Sequence, residues 1–323
     1  MNYSLRDMPA IPLPGRDWLL RQVTRPLPFS DGRHPLHDVD PDPGLFGPES
    51  VTWRVMREPL LILGGGRALL MQAAHPLVAQ GAIDHSTYRT DPFGRLQRTI
   101  TWVTMVTFGT TAEARAASRV VNRLHERVAG ALPRAHATAR LASHTKYTAT
   151  DAHLLLWVHA TFVDTMIATH DALVGGLSDA DRDRFVHEWR AVARLMRVPR
   201  RLLWPDYAAM RRYIAEEIAG GPVDPGAGSR MVARTVLHPP LTSRALTAAW
   251  ELVAFSTVGL LPPEVRNRYD ITWTPAHEAA HAALRVWLRT TKGALPRRLR
   301  ISPVHDYAIA RVNGELGRLR LAA

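Results

Sequence analysis

Fifteen histidines and no cysteine set the terms for metal chemistry in this chain. Without thiolates there is no disulfide, no thiolate-bound zinc, no cysteine-ligated iron–sulfur cluster and no thiolate-ligated haem. A metal would have to use His, Asp, Glu or Tyr. His125 is one candidate. It lies on the margin of an apolar stripe, Ala117, Val121, Leu124 and Val128, whose spacings of 4, 3 and 4 mark one helix face. A neutral imidazole facing a cavity from there could ligate haem iron through one nitrogen, the other held by a backbone carbonyl or carboxylate. The plainer role is a boundary histidine satisfied by one hydrogen bond, and spacing alone favours it. Arg95, Arg98 and Thr99 fall at i, i+3 and i+4 and share a helix face. Over a bound cofactor they would offer a hydroxyl donor for dioxygen and a guanidinium for a propionate. Alone, they read as solvated residues at a helix start.

A rival constellation is His277-Glu278-Ala-Ala-His281, a literal H-E-x-x-H on a predicted helix. Its histidines at i and i+4 could hold Zn²⁺, with Glu278 as general base of a metallohydrolase. The downstream candidates for a third ligand, His305, Asp306 and Glu315, sit in no recognisable motif, and the pattern arises readily in a His- and Ala-rich helix. No G-x-S-x-G elbow supports a serine nucleophile.

The elements that must position these residues read as helices. Nine of the 24 prolines fall in residues 1–48, predicting an irregular arm ahead of one domain over 49–323. Helices are expected at 53–63 with a break at Pro59, 67–75, 92–108 behind an Asp91 cap, and 111–129 behind a Thr110/Glu113 capping box. Further helices follow at 151–174, 178–198, 205–219, 228–237, 243–260, 262–269 and 274–291. Gly64-Gly65-Gly66 lacks the Gly-Lys-Ser/Thr of a phosphate loop and suits close backbone packing or a turn. Only Ile271–Trp273 looks strand-like. The fold class is all-α, a single globular multi-helix domain of roughly ten helices.

Composition narrows the partners. Lys+Arg is 41 against 29 Asp+Glu, a net charge of +12, yet only Lys146 and Lys292 are lysines. The arginines are dispersed and no aromatic-interleaved basic stripe appears, so nucleic acid is not expected as a partner. The most apolar long stretch, 245–261, contains Glu251 and ends at Pro262-Pro263, a buried helix rather than a membrane span. A cytoplasmic protein is expected, with peripheral membrane contact left open.

Taken together, several runs resemble one family. They are Gly65-Gly-Arg67 through Gln72-Ala-Ala-His75-Pro76, Asp84-His85-Ser86, Asp91-Pro92, Arg95-Leu-Gln-Arg98-Thr99, Leu124-His125, and Leu155-Leu-Trp157-Val-His159 through Asp164. In this order they resemble the oxygenase family of the bacterial latex clearing proteins (rubber oxygenases) and the fungal MpaB oxygenase, over roughly residues 50–260. The resemblance implies an all-α fold around haem b with a histidine axial ligand. It also implies O₂-dependent cleavage of a C=C bond in an isoprenoid or other hydrophobic, lipid-like chain. It places His125 at the axial position and Arg95 and Thr99 on the distal side. Arg98 stands where a lysine that can close over the iron is found, and a guanidinium, always protonated, cannot take that role. Asn122 and Ala129 stand where the latex clearing proteins carry arginines. His75, His85 and His159 lie within the resembling runs, as pocket or capping residues or as buried hydrogen-bonding partners between helices. The first reading is therefore a haem-dependent oxygenase, an oxidoreductase. The alternatives are the zinc metallohydrolase of His277, Glu278 and His281 and a non-catalytic helical lipid-binding protein.

Overall fold

Capping side chains start most of the helices. The computed structural model describes residues 41–241 and 244–315, so most of the Pro-rich arm lies outside the described residues. Ser50 accepts from the Trp53 amide at the head of α1 (Val51–Met56), and the chain then runs through a 3₁₀ segment at Pro59–Gly64 into α2 (Gly65–Ala73). Asp91 accepts from Gly94 N at α4 (Pro92–Phe108), and Thr110 and Glu113 form the expected capping box at α5 (Thr111–His125). Asp151 caps α6 (Ala152–Leu173) and Ser178 caps α7 (Asp179–Leu195). Asp206 caps α8 (Tyr207–Ala219), followed by α9 (Ala227–Leu237) and α10 (Arg244–Leu260). The described residues end with α11 (Pro263–Arg268), α12 (Pro275–Lys292), α13 (Arg297–Arg300) and α14 (Pro303–Val312).

The all-α class holds, with local corrections. A helix does end ahead of Pro76, at Ala73, as expected, but the proline also opens a helix that was not expected, α3 (Pro76–His85), where its missing N–H costs nothing at the first helical position. α5 stops at His125 rather than at residue 129, because Ala129–Ala131 (β1) pairs antiparallel with Lys146–Thr148 (β2). Ile271–Trp273, expected as strand-like, is an irregular link with no ladder partner. α13 and α14 were not expected.

The core is built on α6. Trp157, Ala160, Val163, Met166 and Ile167 are buried, and the helix packs against the 3₁₀ segment, α2, α7, α8 and α12. The glycine run gives the close packing its composition suggested. A Cβ on Gly64 would collide with Thr169 Oγ1 on α6, and one on Gly66 with Thr257 Oγ1 on α10. Both backbones therefore approach their neighbours closer than any side chain allows. Gly66→Ala is expected to lower stability by about 1–3 kcal/mol through overpacking, read as a drop in thermal midpoint without loss of helical circular dichroism.

A buried charge cluster ties the same elements together. Asp164 on α6, fully buried, accepts from Arg67 Nη2 at 2.6 Å and Arg211 Nη1 at 2.8 Å. Arg67, itself 2% exposed, also donates to Thr165 Oγ1 at 2.5 Å and to the Leu260 carbonyl at 2.8 Å. Burial alone would raise the Asp164 pKa, but the two guanidinium groups outweigh it and hold the carboxyl below the ordinary range.

Candidate functional site

Two antiparallel hairpins bring the candidate residues to one level. In the first, Arg95 lies 14 residues before Gly109 and His125 lies 16 after it (109 − 95 and 125 − 109). At 1.5 Å per residue both stand roughly 21–24 Å from the turn, at the same end. In the second, Phe162 of α6 meets Trp189 of α7 with ring centroids 4.9 Å apart, which fixes the pairing across the turn at Gly176. Leu155–His159 lie 17–21 residues before that glycine and Leu195 lies 19 after it, again one level. The two hairpins are joined at this end: Asn122 Nδ2 donates to the Leu195 carbonyl at 2.9 Å, and Arg197 pairs with Glu126 at 2.6 Å.

His125 sits on the inward side of α5. Ala114, Ala117, Ser118 and Asn122 are its buried residues, and His125 follows Asn122 by three, on the same face. The ring is half-buried and its Nδ1 is fully buried with no hydrogen-bond partner. The backbone carbonyl or carboxylate expected to hold one nitrogen is not there. Burial lowers the imidazole pKa, so the ring is neutral at pH 7, the form that ligates a metal. An unpartnered, desolvated, neutral imidazole is costly as a packing element and suits a ring that takes a partner from a bound group.

The helices around it are incompletely packed. α4 is fully buried over residues 105–108, but residues 92–104 are nowhere fully buried. On α6, Leu155, Val158, His159 and Phe162, at i, i+3, i+4 and i+7, form a half-buried stripe beside fully buried neighbours. A neutral, unpartnered imidazole on α5 and half-buried apolar side chains on α4 and α6 are the kinds of group that would hold and line a haem. The residues present therefore fit haem.

The distal candidates divide. Arg95 is half-buried, and its guanidinium makes no hydrogen bond or ion pair with the described residues. Burial and the nearby Arg98 lower its pKa, yet a guanidinium keeps its charge, so Arg95 is a cation awaiting an anion. Arg98 is exposed and engaged, donating to Asp91 Oδ2 at 3.2 Å and Thr87 Oγ1 at 2.8 Å. Thr99 is exposed and donates to the Arg95 carbonyl of its own helix at 3.1 Å. Spacing put the three on one face; the structure leaves only Arg95 partly buried.

The other histidines take structural positions. His75 is the N-cap of α3, its Nδ1 accepting from Leu77 N at 3.2 Å. His85, expected as buried or pocket-lining, is exposed, with Nε2 3.0 Å from the Ala129 carbonyl. His159 makes no interhelical hydrogen bond; it stacks on Trp204 at 6.4 Å with planes 6° apart. His75 also lines a cavity of about 360 Å³ with Tyr147, Asp151, His153 and Lys146, side chains the sequence analysis did not offer as site residues. Neither His125 nor Arg95 borders that cavity. Burial pushes His75 and His159 down to about 4. Each folds neutral, so the unfolded chain binds more protons between pH 6.5 and 4. Stability is full above pH 6.5 and is lost as pH falls towards 4. His75→Asn, which keeps a capping oxygen, is expected to flatten part of that loss in unfolding experiments run across the same range.

The H-E-x-x-H residues do not converge. His277 is exposed and its Nδ1 accepts from Thr274 N at 3.1 Å, closing a capping box. Glu278 accepts from Trp273 Nε1 at 2.8 Å, and His281 is buried between Phe255 and Trp273. Among the described residues, no group of three or more His, Asp or Glu side chains is placed to hold a metal ion. A haem needs only one such ligand, so this bears on the zinc reading alone.

Comparison with known proteins decides the family. The family described as ER-bound oxygenase mpaB/B′/rubber oxygenase, catalytic domain, matches residues 53–290. The chain belongs to this family. It is an oxygenase domain, hence an oxidoreductase acting with O₂ on a small molecule. The oxygenase is also similar to the uncharacterized proteins Rv2237 of Mycobacterium tuberculosis and Mb2261 of Mycobacterium bovis. Each is 27% identical over 235 residues, covering 71% of this chain and 88% of the relative. No solved structure matches the oxygenase. No helix among the described residues is long and apolar enough to cross a membrane.

Proposed function

We propose that this oxygenase holds haem b through His125 and cleaves a C=C bond of a hydrophobic, isoprenoid or lipid-like substrate with O₂. The observation that carries the reading is the His125 ring: neutral, inward on its helix, its buried nitrogen without a partner, at the level where both hairpins stay half-open. Bound there, haem would supply the dioxygen chemistry that no side chain of this chain can provide.

The protein's own residues have three tasks. His125 anchors by donating a nitrogen lone pair, which its depressed pKa keeps unprotonated at neutral pH. Arg95 supplies the uncompensated positive charge at the same end, suited to a propionate or to polarising dioxygen. Arg98 can share that task only by loosening its pair with Asp91, and Thr99 only by turning its hydroxyl from the Arg95 carbonyl. The apolar faces of α4 and α6 exclude water and receive the chain. In the overall reaction one O₂ is consumed per double bond, and its two oxygen atoms end in two carbonyl groups.

The test is to incubate the haem-loaded protein with an oligo-isoprenoid, following oxygen uptake and trapping carbonyls as hydrazones. Two carbonyl groups per O₂ are expected. A loaded protein that binds the oligomer but takes up no oxygen would instead be a lipid-binding protein.

A further inference from the structure

α12 turns an apolar face outward. Ala276, Ala279, Ala283, Val286, Trp287 and Thr290, at i, i+3, i+7, i+10, i+11 and i+14, form one face, and all are exposed. Val286 and Trp287 are 59% and 58% exposed, among the largest such values for apolar side chains here. No charged residue lies on that face. The charged residues of the helix lie off that face: Lys292 pairs with buried Glu58, while Arg289 and Glu278 are themselves exposed, Arg289 donating to the Asp171 carbonyl and Glu278 accepting from Trp273 Nε1. A helix facing water ordinarily has the opposite arrangement.

The chemistry around this face identifies what covers it. Residues 285–300 contain six basic side chains, Arg285, Arg289, Lys292, Arg297, Arg298 and Arg300, and no acidic one. Leu295 and Leu299 carry exposed apolar surface past the end of the helix, 40% and 56% open. Lys292 is paired with Glu58 and Arg297 with Asp306, while Arg285, Arg289 and Arg300 have no ion-pair partner among the described residues. A tryptophan-bearing apolar face on a segment with this cationic excess complements an anionic lipid surface, where rings enter the headgroup layer and guanidinium groups meet phosphates. A second copy of the chain fits poorly, since it would set one cationic segment against another.

We propose that the exposed face of α12, centred on Val286 and Trp287, seats the protein on anionic membranes. This peripheral contact crosses no bilayer and needs no spanning helix. It holds the protein at a surface where hydrophobic molecules reside, and it stands independently of whether haem is bound at His125.

The test is sedimentation of the full-length protein with vesicles of phosphatidylcholine alone or mixed with phosphatidylglycerol. Binding is expected to the mixed vesicles, weakening as salt rises. Trp287→Glu is expected to reduce the partition constant by on the order of tenfold or more, while Trp287→Phe retains it. Because the side chain is exposed, both variants should keep the wild-type thermal midpoint. Equal binding to neutral vesicles, no binding to mixed ones, or binding unchanged in Trp287→Glu would overturn the proposal. So would light scattering showing a dimer that Trp287→Glu converts to monomers, since a second copy would then be the occupant.

Discussion

His125→Ala is expected to yield a folded protein that no longer retains haem, with the Soret band and oxygen uptake both lost. The side chain removed sits in the last turn of α5, and its buried nitrogen makes no hydrogen bond to the protein. Deleting it therefore breaks no internal contact of that kind, and the thermal midpoint of the haem-free protein should change little. That separation is the point of the variant. A histidine that served only to fill the helix boundary would leave haem content unchanged when replaced. Imidazole added to His125→Gly tests the same idea from the other side: it should restore haem binding if the missing group is a ligand, and it should do nothing if the role was packing.

The second large effect falls on stability. Asp164→Ala removes the only carboxylate against Arg67 among the described residues, leaving a guanidinium that is 2% exposed without its anion. Breaking a buried pair in this way costs about 3–5 kcal/mol, enough to unfold a substantial fraction of a marginally stable domain. Urea midpoints should drop accordingly. Arg211→Ala should cost much less, because that side chain is 44% exposed and its loss leaves Asp164 still paired with Arg67. The double replacement Arg67→Met with Asp164→Leu is expected to recover part of the loss in Asp164→Ala, since it leaves no buried charge behind. If the double variant is less stable than Asp164→Ala, the Arg67 contacts to Thr165 and Leu260 matter more than its charge pairing.

Local rules carried much of the fold. Asp91, Thr110, Asp151 and Ser178 cap helices because each has a short side chain that reaches amides two or three residues ahead, a relation confined to one turn. Failures began where local signals were ambiguous. One helix ends just ahead of Pro76 and another begins at it, and the proline alone signals the end more plainly than the new start. The β1–β2 pair has three residues per strand, too short to show alternation, and its register depends on a partner 17 residues away (Gly130 with Tyr147).

Of the candidate site, only the spacing of its residues was legible, for the same reason. Spacing placed His125 beside the apolar stripe and Arg95, Arg98 and Thr99 on one face. Which of those side chains turns inward depends on neighbours distant in sequence. The Asn122 bond to Leu195 that joins the hairpins spans 73 residues, and the Arg67–Asp164 pair spans 97. Neither leaves a periodic trace. Asp91 and Thr87 draw Arg98 outward, a competition between partners that helical spacing does not encode. His277 and His281, identical by motif, end with opposite exposures because Gly259 of α10 lets only the second ring pack closely.

The most direct measurement is the haem content of the purified full-length protein, made in cells supplied with iron and a haem precursor and read by Soret absorbance and pyridine haemochrome. The account predicts close to one haem b per chain. A folded, helical protein that emerges colourless from those cells, and takes up no haem when it is added afterwards, would contradict it.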